Sequence, residues 1–168
     1  MKEAWTKHPL SHMKASNDCL KLIEHFEGMR LEAYRCPAGI WTIGIGSTRY
    51  ADGSQVKEGD KLTLKQARVL FRVTLVLYEA SVRNSIQALI TQNQFDAMVS
   101  LCYNIGPGNF HASSLRKAVN KNPSDPGIPA LFDMWIYASG KVLPGLVRRR
   151  KSEAYLYTMS KLKYDFET

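Results

Sequence analysis

Three side chains of different chemistry stand near one another in the stretch EHFEGMRLEAYRCPAGIWTIGIGSTRY, residues 24–50. They are a carboxyl at Glu27, a thiol at Cys36 with eight residues between, and a hydroxyl at Thr42 after five more. A carboxyl that follows the apolar residues Ile23 and Phe26 is partly removed from water and keeps its proton to higher pH, so Glu27 is a candidate proton donor. A loop thiol beside Arg35 and Pro37 is biased toward the thiolate by the neighbouring cation. Each residue also has a plain structural reading: a solvated glutamate closing a helix, an incidental loop cysteine, a threonine favoured in a strand for its shape. None of the three is informative singly.

The elements that must position them follow from pattern. Ser16 is a good N-cap, and Cys19, Leu20, Ile23 and Phe26 recur at helical spacing, which predicts a helix ending at Glu27 before Gly28. The segment GIWTIGIGSTRY is rich in β-branched and aromatic residues, and Asp52-Gly53 is a turn signal, so a small antiparallel hairpin is expected, with Cys36 in the loop between helix and hairpin. From Thr63 the chain reads as helical. Thr63 with Gln66 and Thr91 with Gln94 fit the capping-box spacing. Phe95, Met98, Val99 and Cys102 then share one stripe, which makes Cys102 a core residue. NIGPGN is a breaker, ASSLRKAVN a short helix, KNPSDPGIP a loop, and residues 131–138 a further helix. Pro144 opens a last basic helix. The expected fold class is α+β and mainly helical. A polar leader at 1–15 precedes a small helix-plus-hairpin lobe at about 16–62 and a larger helical lobe at about 63–168, with a ligand cleft between the two lobes.

The chain's 168 residues are enough for one domain with a real core. Its 23 Lys and Arg against 15 Asp and Glu, a formal charge of +8, favour an anionic partner: nucleic acid, acidic lipid or a polyanionic wall polymer. No apolar run suits a signal peptide or the roughly 20 residues of a membrane span, so synthesis in the cytoplasm is expected. Three cysteines without a CxxC pair indicate neither a disulfide framework nor a zinc site, and no cofactor is called for.

Taken together, Glu27, Cys36 and Thr42, followed by IGIGSTRY, resemble the active-site signature of the phage lysozymes of glycoside hydrolase family 24, the T4-type endolysins. Many of these carry Asp at the middle position, and Cys is a variant there. QFDAMVSLCYNIGPGNF resembles the family's central helix and turn, and LPGLVRRRKSEAYLY its C-terminal helix, so the likeness runs over roughly residues 16–158. The resemblance implies a lysozyme-like fold and cleavage, with inversion, of the β-1,4 bond between N-acetylmuramic acid and N-acetylglucosamine in peptidoglycan. It makes Glu27 the general acid, with Cys36 and Thr42 opposite it to position or activate water. Glycines 44 and 46 would keep the strand slim where a sugar approaches. It also points to Arg149 or Arg150 as the partner of the acid, and to Asn104 as a contact for the sugar's amide and hydroxyl groups. A monomer acting on glycan strands is implied, reaching the wall from the host cytoplasm through a holin-type breach of the inner membrane.

Two other readings compete. A nucleic-acid-binding domain would suit the charge and the VRRRK run, but no recognisable motif supports it and the basic residues are dispersed. The C-terminal segment, with Leu146, Val147, Leu156, Tyr157 and Leu162, could add membrane permeabilisation by a basic amphipathic helix.

Overall fold

The computed structural model describes residues 10–36 and 38–166. A 3-10 turn at Leu10–His12 precedes helix α1 (Asn17–Glu27), strands β1 (Arg30–Arg35) and β2 (Trp41–Gly44), and the long helix α2 (Leu64–Ser85). Helices α3 (Gln92–Ile105), α4 (Pro107–Ala112), α5 (Ser114–Lys121) and α6 (Ile128–Phe132) follow. A second hairpin, β3 (Tyr137–Ala138) with β4 (Lys141–Val142), leads into α7 (Pro144–Met159). The chain divides into two compact units: Ile23–Leu77, and the residues up to Leu22 together with Tyr78 onward.

The division differs from the sequence expectation at 15/16 and 62/63. Both boundaries fall inside helices, α1 and α2, because a cap such as Thr63 marks where a helix starts and carries no information about where packing changes partner. The expected leader is also shorter than 1–15. Residues 1–9 lie outside the described residues, but Met13 and Ala15 are buried. The Met13 carbonyl accepts from Arg83 Nη1 at 2.7 Å, and the Ala15 N–H donates to Glu79 Oε1 at 2.8 Å.

In the Ile23–Leu77 unit, β1 and β2 pair antiparallel with Tyr34 opposite Thr42 and Arg35 opposite Trp41. An irregularity then intervenes before Arg30 meets Gly44. The other edge of β1 is held by residues 60–62: Ala33 N–H donates to Asp60 O at 2.9 Å and Leu62 N–H to Leu31 O at 2.8 Å. Ile43, Val56 and Leu70 form the core under this sheet, with Ala33, Trp41, Tyr50 and Leu62 packed around them. The Asp52-Gly53 turn forms as expected, with Asp52 Oδ1 accepting from the N–H and the hydroxyl of Ser54. Gly44 and Gly46 have φ of +66° and +75°, where the chain turns so that Ile43 and Ser47 exchange both backbone hydrogen bonds. That left-handed backbone alone accounts for glycine at both positions.

In the other unit, α3 is buried from Gln94 through Cys102 and packs against α7, which in turn packs against α6. The stripe Phe95, Met98, Val99, Cys102 is fully buried, as its spacing predicts. Both capping boxes are present: Thr63 N–H donates to Gln66 Oε1 at 2.8 Å and Thr91 N–H to Gln94 Oε1 at 2.9 Å, each returned by the Gln N–H to the hydroxyl. Such caps contribute about 1 kcal/mol each. The expected helix over 131–138 is replaced by the end of α6, a 3-10 turn at Asp133–Trp135 and the start of the second hairpin. Ser139 and Gly140 both have positive φ there, the backbone of a two-residue hairpin turn, which no helix can contain.

Candidate active site

Glu27 is the last residue of α1. The Gly28 N–H closes the final turn on Glu24 O at 2.9 Å, and a φ of +72° at Gly28 sends the chain away toward β1. Ile23, one turn earlier, is fully buried, but Phe26 is only half-buried and the Glu27 side chain is exposed. The sequence expectation of a carboxyl already drawn out of water is therefore corrected: the apolar stripe of α1 ends before it reaches this position.

Cys36 and Thr42 are brought together. Cys36 lies inside the hairpin, at the β1 end of its turn, and not between helix and hairpin; its neighbour Pro37 lies outside the described residues. Continuing the Tyr34–Thr42 and Arg35–Trp41 register by one residue sets Cys36 against Ile40, and Cys36 N–H donates to Ile40 O at 3.0 Å. Thr42 is then the diagonal neighbour of Cys36 on the same face, close enough for their side chains to meet. The Thr42 hydroxyl, which is buried, donates to Ile40 O at 3.0 Å and stands beside the sulfur, where it helps to lower the thiol's pKa.

The backbone N–H groups of Ile40 and Ala38 aim at the sulfur and hold the Cys36 thiol below its ordinary range, with Thr42 adding to them and desolvation opposing. Arg35, the cation expected to do this, is occupied on the opposite face of the strand. Its guanidinium lies 4.8 Å from the Trp41 ring centre, and Nη1 donates to Gly39 O at 3.2 Å. The other two thiols differ sharply. Cys19 and Cys102 are buried, and burial pushes both up, Cys102 to about 11.

Asn104, Arg149 and Arg150 are also brought together, in the other unit and around a residue that sequence reasoning missed. Glu153 is fully buried. Its Oε1 accepts from Ser100 Oγ at 2.7 Å, Arg149 Nε at 3.2 Å and Arg150 Nη2 at 3.2 Å, and its Oε2 lies 2.9 Å from Arg150 Nε. Arg150 Nη2 also donates to the exposed Asn104 Oδ1 at 3.1 Å, and Arg149 Nη2 reaches Ser100 O at 3.4 Å. The signal was present in the sequence, since Glu153 stands four and three residues after the two arginines, the spacing at which helical side chains meet. The same cluster bears on the C-terminal helix. The inward side of α7 holds Arg149, Arg150, Ser152 and Glu153 beside Leu156 and Tyr157, so it is no continuous apolar face, and Leu156 and Tyr157 are buried in the protein.

A family model described as phage lysozyme matches residues 24–153. An endolysin of Acyrthosiphon pisum secondary endosymbiont phage 1 is 39% identical over 149 residues, covering 86% of this chain and 98% of its own length. Among solved structures, an endolysin from Escherichia coli O157:H7 phage FAHEc1 superposes with a TM-score of 0.83 at 36% identity, over 94% of this chain and 99% of its own. The muramidase domain of SpmX from Asticaccaulis excentricus gives a TM-score of 0.76 at 35% identity, over 87% and 98%. The fold is lysozyme-like and mainly helical.

Proposed function

The chain belongs to the phage lysozyme family, whose enzymes lyse peptidoglycan, and from that premise we propose that it cleaves the β-1,4 bond between N-acetylmuramic acid and N-acetylglucosamine with inversion, as glycoside hydrolase family 24 enzymes do. The observation that carries the reading is the Cys36–Thr42 contact on one face of the β1–β2 hairpin, in the same compact unit as Glu27.

In this mechanism Glu27 gives its proton to the glycosidic oxygen as the bond to the anomeric carbon breaks. A water held by Cys36 and Thr42 attacks that carbon from the other side and passes a proton to the sulfur. Inversion needs room for that water between acid and base, about 6.5 to 9.5 Å where both are carboxylates. Glu27 is exposed in the free protein, so the sugar rings themselves must displace its water. On the family resemblance Cys36 takes the place of an Asp, and the N–H groups of Ala38 and Ile40 supply the bias toward the anion that a thiol otherwise lacks near neutral pH. The hydroxyl of Thr42 has one proton and two acceptors, Ile40 O and the sulfur, so it can follow the charge on Cys36.

The enzyme acts in this reading as a monomer and reaches the wall from the host cytoplasm once the inner membrane is breached by a holin-type pore. Among the described residues no helix is long and apolar enough to cross a membrane. The test is turbidity loss of chloroform-treated Gram-negative cells with mass spectrometry of the released fragments. Wild type is expected to lyse rapidly and leave hydrated, reducing N-acetylmuramic acid ends, and Glu27→Gln to lose activity by several orders of magnitude. Cys36→Asp is expected to keep substantial activity while Cys36→Ala loses much more. Equal lysis by Glu27→Gln would remove Glu27 from the chemistry, and anhydro ends would make the enzyme a lytic transglycosylase.

A further inference from the structure

Along α2, apolar side chains that a soluble fold normally buries are left in water. Val69, Val73, Val76 and Leu77 are 57%, 43%, 53% and 72% exposed. At about 100° per residue all four fall in one arc of the helix surface. The buried side, carried by Ala67, Phe71 and Leu75, faces the other way, and Leu70, buried against Ile43 and Val56, borders the stripe. Single exposed valines or leucines are ordinary, whereas a contiguous stripe of four marks an interaction surface.

The charges beside the stripe select its occupant. Lys65, Arg68 and Arg72 run along one flank and are all exposed, and no Asp or Glu occurs between Lys61 and Tyr78. Arg68 Nη2 lies 3.9 Å from Glu24 Oε1, a loose ion pair. Asp52 and Asp60 share a cavity with Val69 and Val73 at one end of the stripe, while its flank carries the cations Lys65, Arg68 and Arg72. An apolar stripe with such a flank matches the interface of an anionic bilayer, where aliphatic side chains enter the acyl boundary and cations meet headgroup phosphates.

We propose that the α2 face formed by Val69, Val73, Val76 and Leu77, with Lys65, Arg68 and Arg72 beside it, is a peripheral docking surface for anionic phospholipid. It holds the enzyme at a bacterial membrane surface next to the wall, and it is distinct from the basic C-terminal helix. The binding is reversible and salt-sensitive, because each cation near an anionic surface contributes about 1 kcal/mol, or roughly fivefold.

The test is co-sedimentation of the full chain with vesicles of phosphatidylglycerol and phosphatidylethanolamine, and separately with neutral phosphatidylcholine vesicles. Wild type should bind the anionic vesicles and not the neutral ones. Val76→Asn with Leu77→Asn should weaken that binding about tenfold, and Arg68→Gln with Arg72→Gln about 25-fold. Leu89→Asn, a control at an exposed leucine off the stripe, should bind as wild type. All variants should keep wild-type melting temperatures and wild-type activity on purified peptidoglycan, which separates this surface from the catalytic reading. Unchanged binding by the Val76/Leu77 variant would reduce the effect to net charge and overturn the proposal, as would absence of wild-type binding at low salt. A dimer in sedimentation that the same variant dissolves would assign the stripe to a second copy instead.

Discussion

At Cys36, three short-range features decide the chemistry of one atom: the N–H groups of Ile40 and Ala38 and the Thr42 hydroxyl converge on the sulfur. The charge of Arg35, adjacent in sequence, is spent on Trp41 and the Gly39 carbonyl. A thiol held below its ordinary range and half exposed reacts as thiolate, whereas one that is buried and pushed up does not. Near pH 7.5, iodoacetamide should label Cys36 well before Cys19 or Cys102, by at least about tenfold in rate. Peptide mapping by mass spectrometry over a time course would check this. Comparable labelling of all three would show that access, and not the turn's N–H groups, governs the sulfur. Loss of lysis in step with Cys36 labelling would tie the thiolate to turnover.

Between elements, α3 and α7 are joined by the Ser100–Glu153–Arg149–Arg150 cluster, with every one of these side chains buried. A buried pair contributes little net stability once desolvation is counted, but removing one partner strands the others. Glu153→Gln leaves two buried guanidinium groups without their shared carboxylate and should cost about 3–5 kcal/mol in denaturant unfolding. The exposed pair of Lys61 and Glu32, at 2.7 Å, is the contrast: solvent screens it, so Lys61→Met should cost far less than Glu153→Gln. If both changes cost the same, the burial argument for the α3–α7 junction is wrong.

For the whole molecule, the pH dependence of stability is a sum over groups of opposite sign. Hydrogen bonds hold Glu32, Asp52 and Asp60 below their usual range, so they favour the fold above about pH 4 and lose that contribution as pH falls. Asp96 works the other way. It is fully buried, accepts from the N–H and hydroxyl of Ser16 and from Gln92, and burial pushes it up to about 6. Between about pH 4 and 6 the folded protein binds a proton here that the unfolded chain has released, so this group makes stability fall as pH rises through that window. The drop is on the order of 3 kcal/mol. In thermal melts from pH 4 to 7, Asp96→Asn should remove this decline, and the difference between wild type and variant isolates the group from the exposed acids. Parallel profiles for the two proteins would place the titration elsewhere.

What the sequence by itself determined is local: helix α1 stopping at Glu27, the capping boxes at Thr63 and Thr91, the buried stripe of α3, the Asp52-Gly53 turn and Pro144 at the start of α7. Each depends on residues within about one or two turns of chain, so spacing carries the whole signal. The order Glu27, Cys36, Thr42 was legible for the same reason. What only the tertiary structure decided depends on groups distant in sequence or on backbone that has no side-chain code. The exposure of Glu27, the N–H groups facing Cys36, the burial of Met13 against a helix some 70 residues away and the partnership of Glu153 with Ser100 belong to this second kind. A pattern of residue types records what an element needs from its neighbours, while the identity of those neighbours is settled only when the chain packs.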